Sequence, residues 1–404
     1  MAEDLKPADA GQVAEVLAWA AGSNKTVELV GGGSKTALGR AVETDYRLHL
    51  SALDGVDLYE PEELVLRAGA ATSLGQIQAM LAQQRQQLAF EPPDFGDLYG
   101  NHKAQTIGGV LAANLAGPRR IKAGAARDHF LGLEAVSGRG AAFKSGGRVV
   151  KNVTGYDLCK LMAGSFGTLA ALTEVTVKVL PSPEKIRTVL LFGQDDGAAI
   201  RAMSQAAGSP HEVSALAHLP EDIAARSAVS YLQGAGAAVT AVRVEGPAPS
   251  VEHRAEALRQ LWGAQGAVEE LHGHNSNTLW REIANVATLL PDPGAIVWKL
   301  SVTPSLGADV MREALSAGGA GYYDWAGGLF WLSLPNSEDG GAGLVRGAFG
   351  GDGHATLMRG PEALRARVDV FQPGPPALAA LNARIKDAFD PHRILNPGRM
   401  HGAY

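Results

Sequence analysis

Three glycine-rich stretches hold the residues best suited to chemistry. Val30-Gly31-Gly32-Gly33-Ser34-Lys35-Thr36 follows a short apolar run. Thr106-Ile107-Gly108-Gly109 opens a run of small apolar residues, and Gly164-Ser165-Phe166-Gly167-Thr168-Leu169 leads into an alternating apolar stretch. Glycine lets successive backbone amides converge on one point and lets a ligand approach the main chain closely. The chemistry this suits is the grip of a phosphate or diphosphate. Singly, each stretch has an ordinary explanation: a turn at a strand end, close packing of a helix, a hairpin turn. Three in one region are accounted for more simply by one large phosphate-bearing cofactor. Two familiar phosphate motifs are excluded. A P-loop needs Gly-Lys-Ser/Thr, and here Ser34 precedes Lys35. A dinucleotide G-x-G-x-x-G fingerprint fails because Thr36 stands where the last glycine is required.

Side-chain chemistry is sparse by comparison. The single cysteine, Cys159, excludes a disulfide framework, a Cys-ligated iron–sulfur cluster and a Cys-rich zinc site within the chain. His102, His129 and His354 are scattered and lack the spacing of a metal site, so none is expected. His354, in Gly350-Gly351-Asp352-Gly353-His354, is the one candidate general base, and Arg359 the candidate for a carboxylate. Each also has a plain reading, as a strand-start histidine and a solvated strand-end arginine. The net charge of −6 argues against a nucleic-acid partner bound through bulk positive charge. No apolar run approaches the length of a membrane span, and Met1-Ala-Glu-Asp-Leu-Lys-Pro lacks the form of a signal peptide, so a cytoplasmic location is expected.

The elements that must position these loops are legible in part. Asp9 caps a helix with apolar Val13, Val16, Leu17 and Ala20, and Ser73 with Gln76 forms a capping box for a second. Strands are expected at 26–30, 64–66, 130–136 and 141–144, the last two as a hairpin, and at Val175-Val177-Val179. The pair Pro181 and Pro183 marks a boundary. Beyond it strands at 188–192, 238–244, 295–302 and 329–334 alternate with helices at 198–207, 251–262 and 308–317, followed by a last helix at 377–389. With 404 residues, 46% hydrophobic and 19% charged, the chain is expected to make a two-domain α/β (α+β) protein with an ample core.

The three loops, together with Leu395-Asn396-Pro397-Gly398-Arg399, resemble the vanillyl-alcohol-oxidase-type flavoproteins, also called the PCMH-type FAD-binding family. Supporting stretches are Gly117-Pro118-Arg119-Arg120, Gly124-Ala125-Ala126-Arg127-Asp128, residues 151–158 (KNVTGYDL) and His354-Ala355-Thr356-Leu357. Within the family the chain looks most like the FAD-binding subunits of bacterial glycolate oxidase. The resemblance implies a two-subdomain FAD-binding domain at 1–183, an α/β cap at 184–358 and a segment at 359–404 that returns to the flavin. It implies that Gly31, Gly32, Gly33 and Ser34 hold the diphosphate and that Thr106, Gly108 and Gly109 face the diphosphate or the flavin. By the same resemblance Gly164, Gly167 and Val175 line the adenosine portion, and Asn396 and Arg399 lie near the isoalloxazine ring.

FAD should be dissociable, because Ser34-Lys35 stands where many relatives carry a tethering histidine. The implied partners are a homologous D-type flavoprotein of glycolate oxidase and an iron–sulfur subunit. The substrate of the complex would be a small 2-hydroxy acid, glycolate or D-lactate. No membrane anchor is expected, and any place at the inner membrane would come through the complex. A free-standing FAD-dependent 2-hydroxy-acid dehydrogenase and a flavin-free structural subunit are the alternatives.

Overall fold

The computed structural model describes residues 2–148, 155–351 and 353–402. Residues 151–154 of the KNVTGYDL stretch and Asp352 lie outside the described residues. The helix Ala10–Gly22 starts where Asp9 accepts a hydrogen bond from the Gln12 amide, and Val13, Leu17 and Ala20 form its buried stripe. It covers a three-stranded parallel sheet of Glu3–Leu5, Tyr46–His49 and Val27–Val30, in that order. Ser73 likewise caps the helix Leu74–Gln83.

A second sheet holds five antiparallel strands, in the order Val56–Glu60, Val65–Gly69, Ala170–Lys178, Phe130–Ser137 and Ala142–Gly146. The strand Ala170–Lys178 lies at its centre and is buried on both faces, so Val175 and Val177 pack in the core beside Thr173 and Thr176. The expected hairpin at 130–146 is present.

From Lys185 to Arg359 the chain builds an eight-stranded sheet, ordered Val268–His272, Lys185–Phe192, Val239–Gly246, Ala215–Leu219, Ala320–Asp324, Leu329–Leu334, Ile296–Val302 and Gly353–Arg359. Every pairing in it is antiparallel. One face packs against the helices Asp196–Ala207, Ala248–Gly263 and Gly307–Ser316, through residues such as Trp262, Met203 and Met311. The other face turns toward the N-terminal half: Ala217, Val297, Tyr322, Trp331 and Met358 share a core with Ile77, Phe95 and Ile107.

Two bidentate ion pairs fasten the halves. Arg119 Nη2 and Nε donate to Glu245 at 2.6 and 2.9 Å, and Arg243 Nη1 and Nη2 donate to Glu91 at 2.9 and 2.8 Å. Burial disfavours the charge on Glu245, yet Arg243 and Arg119 outweigh it and hold the carboxyl down at about 2. The last helix, Pro376–Phe389, then sends the chain back to the first sheet. Val27 N donates to Ile394 O and Asn396 N donates to Val27 O, so the tail runs parallel beside the strand that leads into the first glycine loop. Lys386 secures this return from the buried interior, donating to Asp390 at 2.7 Å, Thr168 O at 2.7 Å and Leu395 O at 3.1 Å.

Candidate functional site

An open cleft lies between the two smaller sheets. Leu29, Val30 and Leu50 wall it on one side, Ala70, Ala170 and Leu172 on the other. Gly31 to Thr36 form one rim, Thr106, Gly108 and Gly109 a second, and Phe166, Gly167, Asn396 and Arg399 close the remainder. Most of the residues singled out in the sequence therefore meet in one place. Two do not. Gly164 lines a separate cavity against the last helix, with Lys386 and His401, because the loop turns over at Ser165 and shows only Phe166 and Gly167 to the cleft. Val175 lies in the fully buried part of its strand.

Why the first two loops need glycine differs from the sequence reading. A Cβ on Gly32 would sit 1.9 Å from Ala104 O, so the missing side chain makes room for the second loop rather than for a ligand. What faces the cleft is the backbone. Among the described residues, the amides from Gly31 through Thr36 donate no hydrogen bond within the chain. A row of unpaired amides in a concave wall is an anion cradle. Thr106 supports it: its Oγ1 accepts from the Gly109 amide at 3.2 Å.

Lys35, to which the sequence assigns no binding role, lines the cleft as well. Its ammonium donates to Gln105 Oε1 at 2.7 Å and to Ser34 Oγ at 3.3 Å. Burial pushes its pKa down to about 8, against the pull of Asp94. It supplies positive charge next to the amides.

The two tail residues line the cleft, but their polar atoms serve the protein. Asn396 Oδ1 accepts from Leu29 N at 2.8 Å, and its Nδ2 donates to Phe166 O at 2.8 Å. Gly167, at φ +69°, would place a Cβ 2.8 Å from that Nδ2. Arg399 donates to Leu38 O at 2.9 Å and to Glu28 Oε1 at 2.8 Å, leaving its buried Nε without a partner. Both residues hold the first loop to the chain's end.

The remaining candidates lie elsewhere. His354 is exposed on the edge strand Gly353–Arg359, on the sheet face that turns toward the N-terminal half, and does not line the cleft. Arg359 donates to Ala295 O and Asp292 O, so it ties a loop instead of awaiting a carboxylate. Cys159 is buried, with its thiol pushed up to about 12 by desolvation, which keeps it unreactive. Among the described residues no cluster of histidine, cysteine and carboxylate side chains could hold a metal, and no helix is long and apolar enough to cross a membrane.

A model of the FAD binding domain matches residues 4–146, and a model of the C-terminal domain of FAD linked oxidases matches residues 373–400. Glycolate oxidase subunit GlcE of Escherichia coli (strain K12) is 31% identical over 383 residues, covering 94% of this chain and 94% of that protein. The chain belongs to the FAD-linked oxidases. Glycolate oxidase subunit GlcD of Bacillus subtilis (strain 168) is 41% identical over 115 residues, covering 28% of this chain and 24% of that protein. D-lactate dehydrogenase of Archaeoglobus fulgidus is 33% identical over 178 residues, covering 44% of this chain and 38% of that protein.

Among solved structures, p-cresol methylhydroxylase superposes with a TM-score of 0.71 at 15% identity, covering 98% of this chain and 88% of that one. The 4-ethylphenol oxidase of Gulosibacter chungangensis superposes at 0.72 with 13% identity and the same coverage. These likenesses show the fold. FAD is the cofactor of an FAD-linked oxidase, and the cleft fits it: unpaired amides and Lys35 for the diphosphate, apolar walls for the flat ring.

Proposed function

We propose that this chain is the FAD-binding subunit of a multi-subunit glycolate oxidase, acting on glycolate and, as a second substrate, D-lactate. Its partners are a homologous D-type flavoprotein of the same oxidase and an iron–sulfur subunit, and the complex works in the cytoplasm or at the inner face of the membrane. The observation that carries the reading is the unpaired amide row of Gly31 to Thr36 in a chain alike to GlcE along nearly its whole length. Bound FAD would supply the acceptor for the two electrons of a hydroxy acid.

This chain's residues do the holding. The amide row and Lys35 neutralise the diphosphate, and Asn396 keeps the strand Val27–Val30 and the Phe166 turn at a fixed spacing. Ser34-Lys35 offers no histidine for a covalent bond to the cofactor, so FAD binds non-covalently. One buried cysteine supplies no cluster ligands, so electrons leave through a partner.

The test is glycolate-dependent dye reduction by the chain alone and by the chain purified with its partners. The reading expects flavin in this subunit and turnover only in the assembled complex. Full turnover by the isolated chain would assign it as a free-standing dehydrogenase.

A further inference from the structure

A second group of polar side chains gathers where the large sheet faces the N-terminal half, apart from the residues that line the cofactor cleft. Lys299 lies on the strand Ile296–Val302, opposite Trp331 on one neighbour and Thr356 on the other. Directly paired residues share a sheet face, as do residues two apart, so Ser301 and its partner His354 stand on that face too. The Lys299 ammonium lies 5.0 Å from the Trp325 ring centre and 5.8 Å from that of Trp331. From the other half, the Arg120 guanidinium lies 4.6 Å from the same Trp325 ring. Trp325 is held in place by its Nε1, which donates to Gly117 O at 3.1 Å.

Neither cation has an ion-pair partner: Asp324 attracts Lys299, and Asp128 attracts Arg120, only from beyond salt-bridge distance. Among the described residues neither head group makes a hydrogen bond, and no carboxylate lies within 4.0 Å of either. The acids nearby are committed. Glu91 is bound by Arg243 and Glu245 by Arg119. Asp324 accepts from the Trp325 amide, and Asp128 from the Ala125 amide. Neither cation is sealed off, since their nitrogens are absent from the buried atoms that lack a partner. Two like charges beside one indole repel each other, and that arrangement is relieved by an anion between them. The hydroxyl of Thr356 and the ring of His354, also without hydrogen bonds among the described residues, stand on the same face.

We propose that Arg120 and Lys299, set against Trp325, form a binding site for a small carboxylate, such as that of a 2-hydroxy acid. The identity of the acid rests on the proposed function; the existence of the cation pair does not. The site gives this chain a direct hold on substrate, with the carboxylate on the two cations and Thr356 and His354 within the same sheet face for a hydroxyl group.

The test uses the full chain as purified, titrated with glycolate at constant ionic strength and followed by tryptophan fluorescence. The expected result is a saturable change in the parent chain. Lys299→Gln and Arg120→Gln should each weaken the apparent affinity about tenfold or more, the loss of one charge-assisted contact. Lys299→Arg, which keeps the charge, should retain binding. Lys122→Gln, two residues from Arg120 and on the protein surface, should bind as the parent does. Circular dichroism and flavin content verify that each variant is folded. A parent chain with no saturable response, or Gln variants that bind as the parent does, overturns the proposal. So does an equal loss in Lys122→Gln, which would reduce the effect to bulk charge. Failure of the flavoprotein reading shows differently, as a chain without flavin absorbance that still binds glycolate.

Discussion

Asn396 lines the cleft and bridges two of its walls, accepting from the Leu29 amide and donating to the Phe166 carbonyl, each at 2.8 Å. One carboxamide thus joins the strand behind the first glycine loop to the third glycine loop, from a position 367 residues further along the chain. Asn396→Ala leaves one buried donor and one acceptor unpaired. It should lower stability by about 2 kcal/mol and weaken FAD binding at least tenfold. Thermal melts and a flavin fluorescence titration measure the two effects separately.

Gly32→Ala should be far more damaging than its size suggests, because the added Cβ meets Ala104 O at 1.9 Å. The two loops must separate, and the amide row loses its shape. The expected outcome is a folded chain with little flavin, read as the flavin-to-protein absorbance ratio. Gly75→Ala is the matched control: nothing lies within 4 Å of its Cβ, and it sits in the first turn of the helix Leu74–Gln83. It should keep full flavin and gain about 0.5 kcal/mol from helix propensity.

Glu245 makes the join between the halves sensitive to acid. Its carboxyl is held at about 2 in the folded chain, against 4.5 as the ordinary value. The stabilisation is fully present above pH 4.5 and is lost as pH falls toward 2. Glu245→Gln should cost about 3 kcal/mol at neutral pH, by removing the buried carboxylate that faces both Arg119 and Arg243. It should also flatten the decline of the melting temperature between pH 4.5 and 2. An unchanged acid limb in the variant would show that the pair does not govern it.

Lys299 gives the opposite sign. Desolvation, with Arg120 adding repulsion, lowers its pKa from 10.5 to about 8. Its charge therefore destabilises the fold at neutral pH, and the penalty is relieved as pH rises from 8 to 10.5, where only the unfolded chain still binds the proton. Lys299→Met should raise the melting temperature at pH 7 by about 2 °C or more, and the gain should shrink above pH 8. It should also weaken the glycolate response about tenfold or more, as Lys299→Gln does. A residue whose removal stabilises the fold and weakens binding is one held for function.

The sequence shows what depends on local rules. Asp9 and Ser73 cap the helices that their spacing predicts, and the three glycine loops converge on one cleft. The helix Gly273–Asn285 escapes notice because it opens with Gly273-His274-Asn275-Ser276-Asn277, poor helix formers. It forms because tertiary bonds hold it, with Ser276 and Trp280 both bonded to the buried Thr188. The strand Ala215–Leu219 is buried throughout and carries no alternation to reveal it. Val175 lies in the core and not at the cleft for a similar reason: a strand covered on both faces shows no inward side in its sequence. Arg120, Lys299 and Trp325 meet only through folding, so no spacing in the chain marks them.

On the proposed function, the unpaired row of amides, backed by Lys35, holds a dissociable FAD. The most direct measurement is the visible spectrum of the purified chain before and after acid precipitation. The account predicts the two bands of oxidised flavin, with all the yellow colour passing into the supernatant as intact FAD. A colourless chain that takes up no added FAD, or a pellet that keeps the colour, would contradict it.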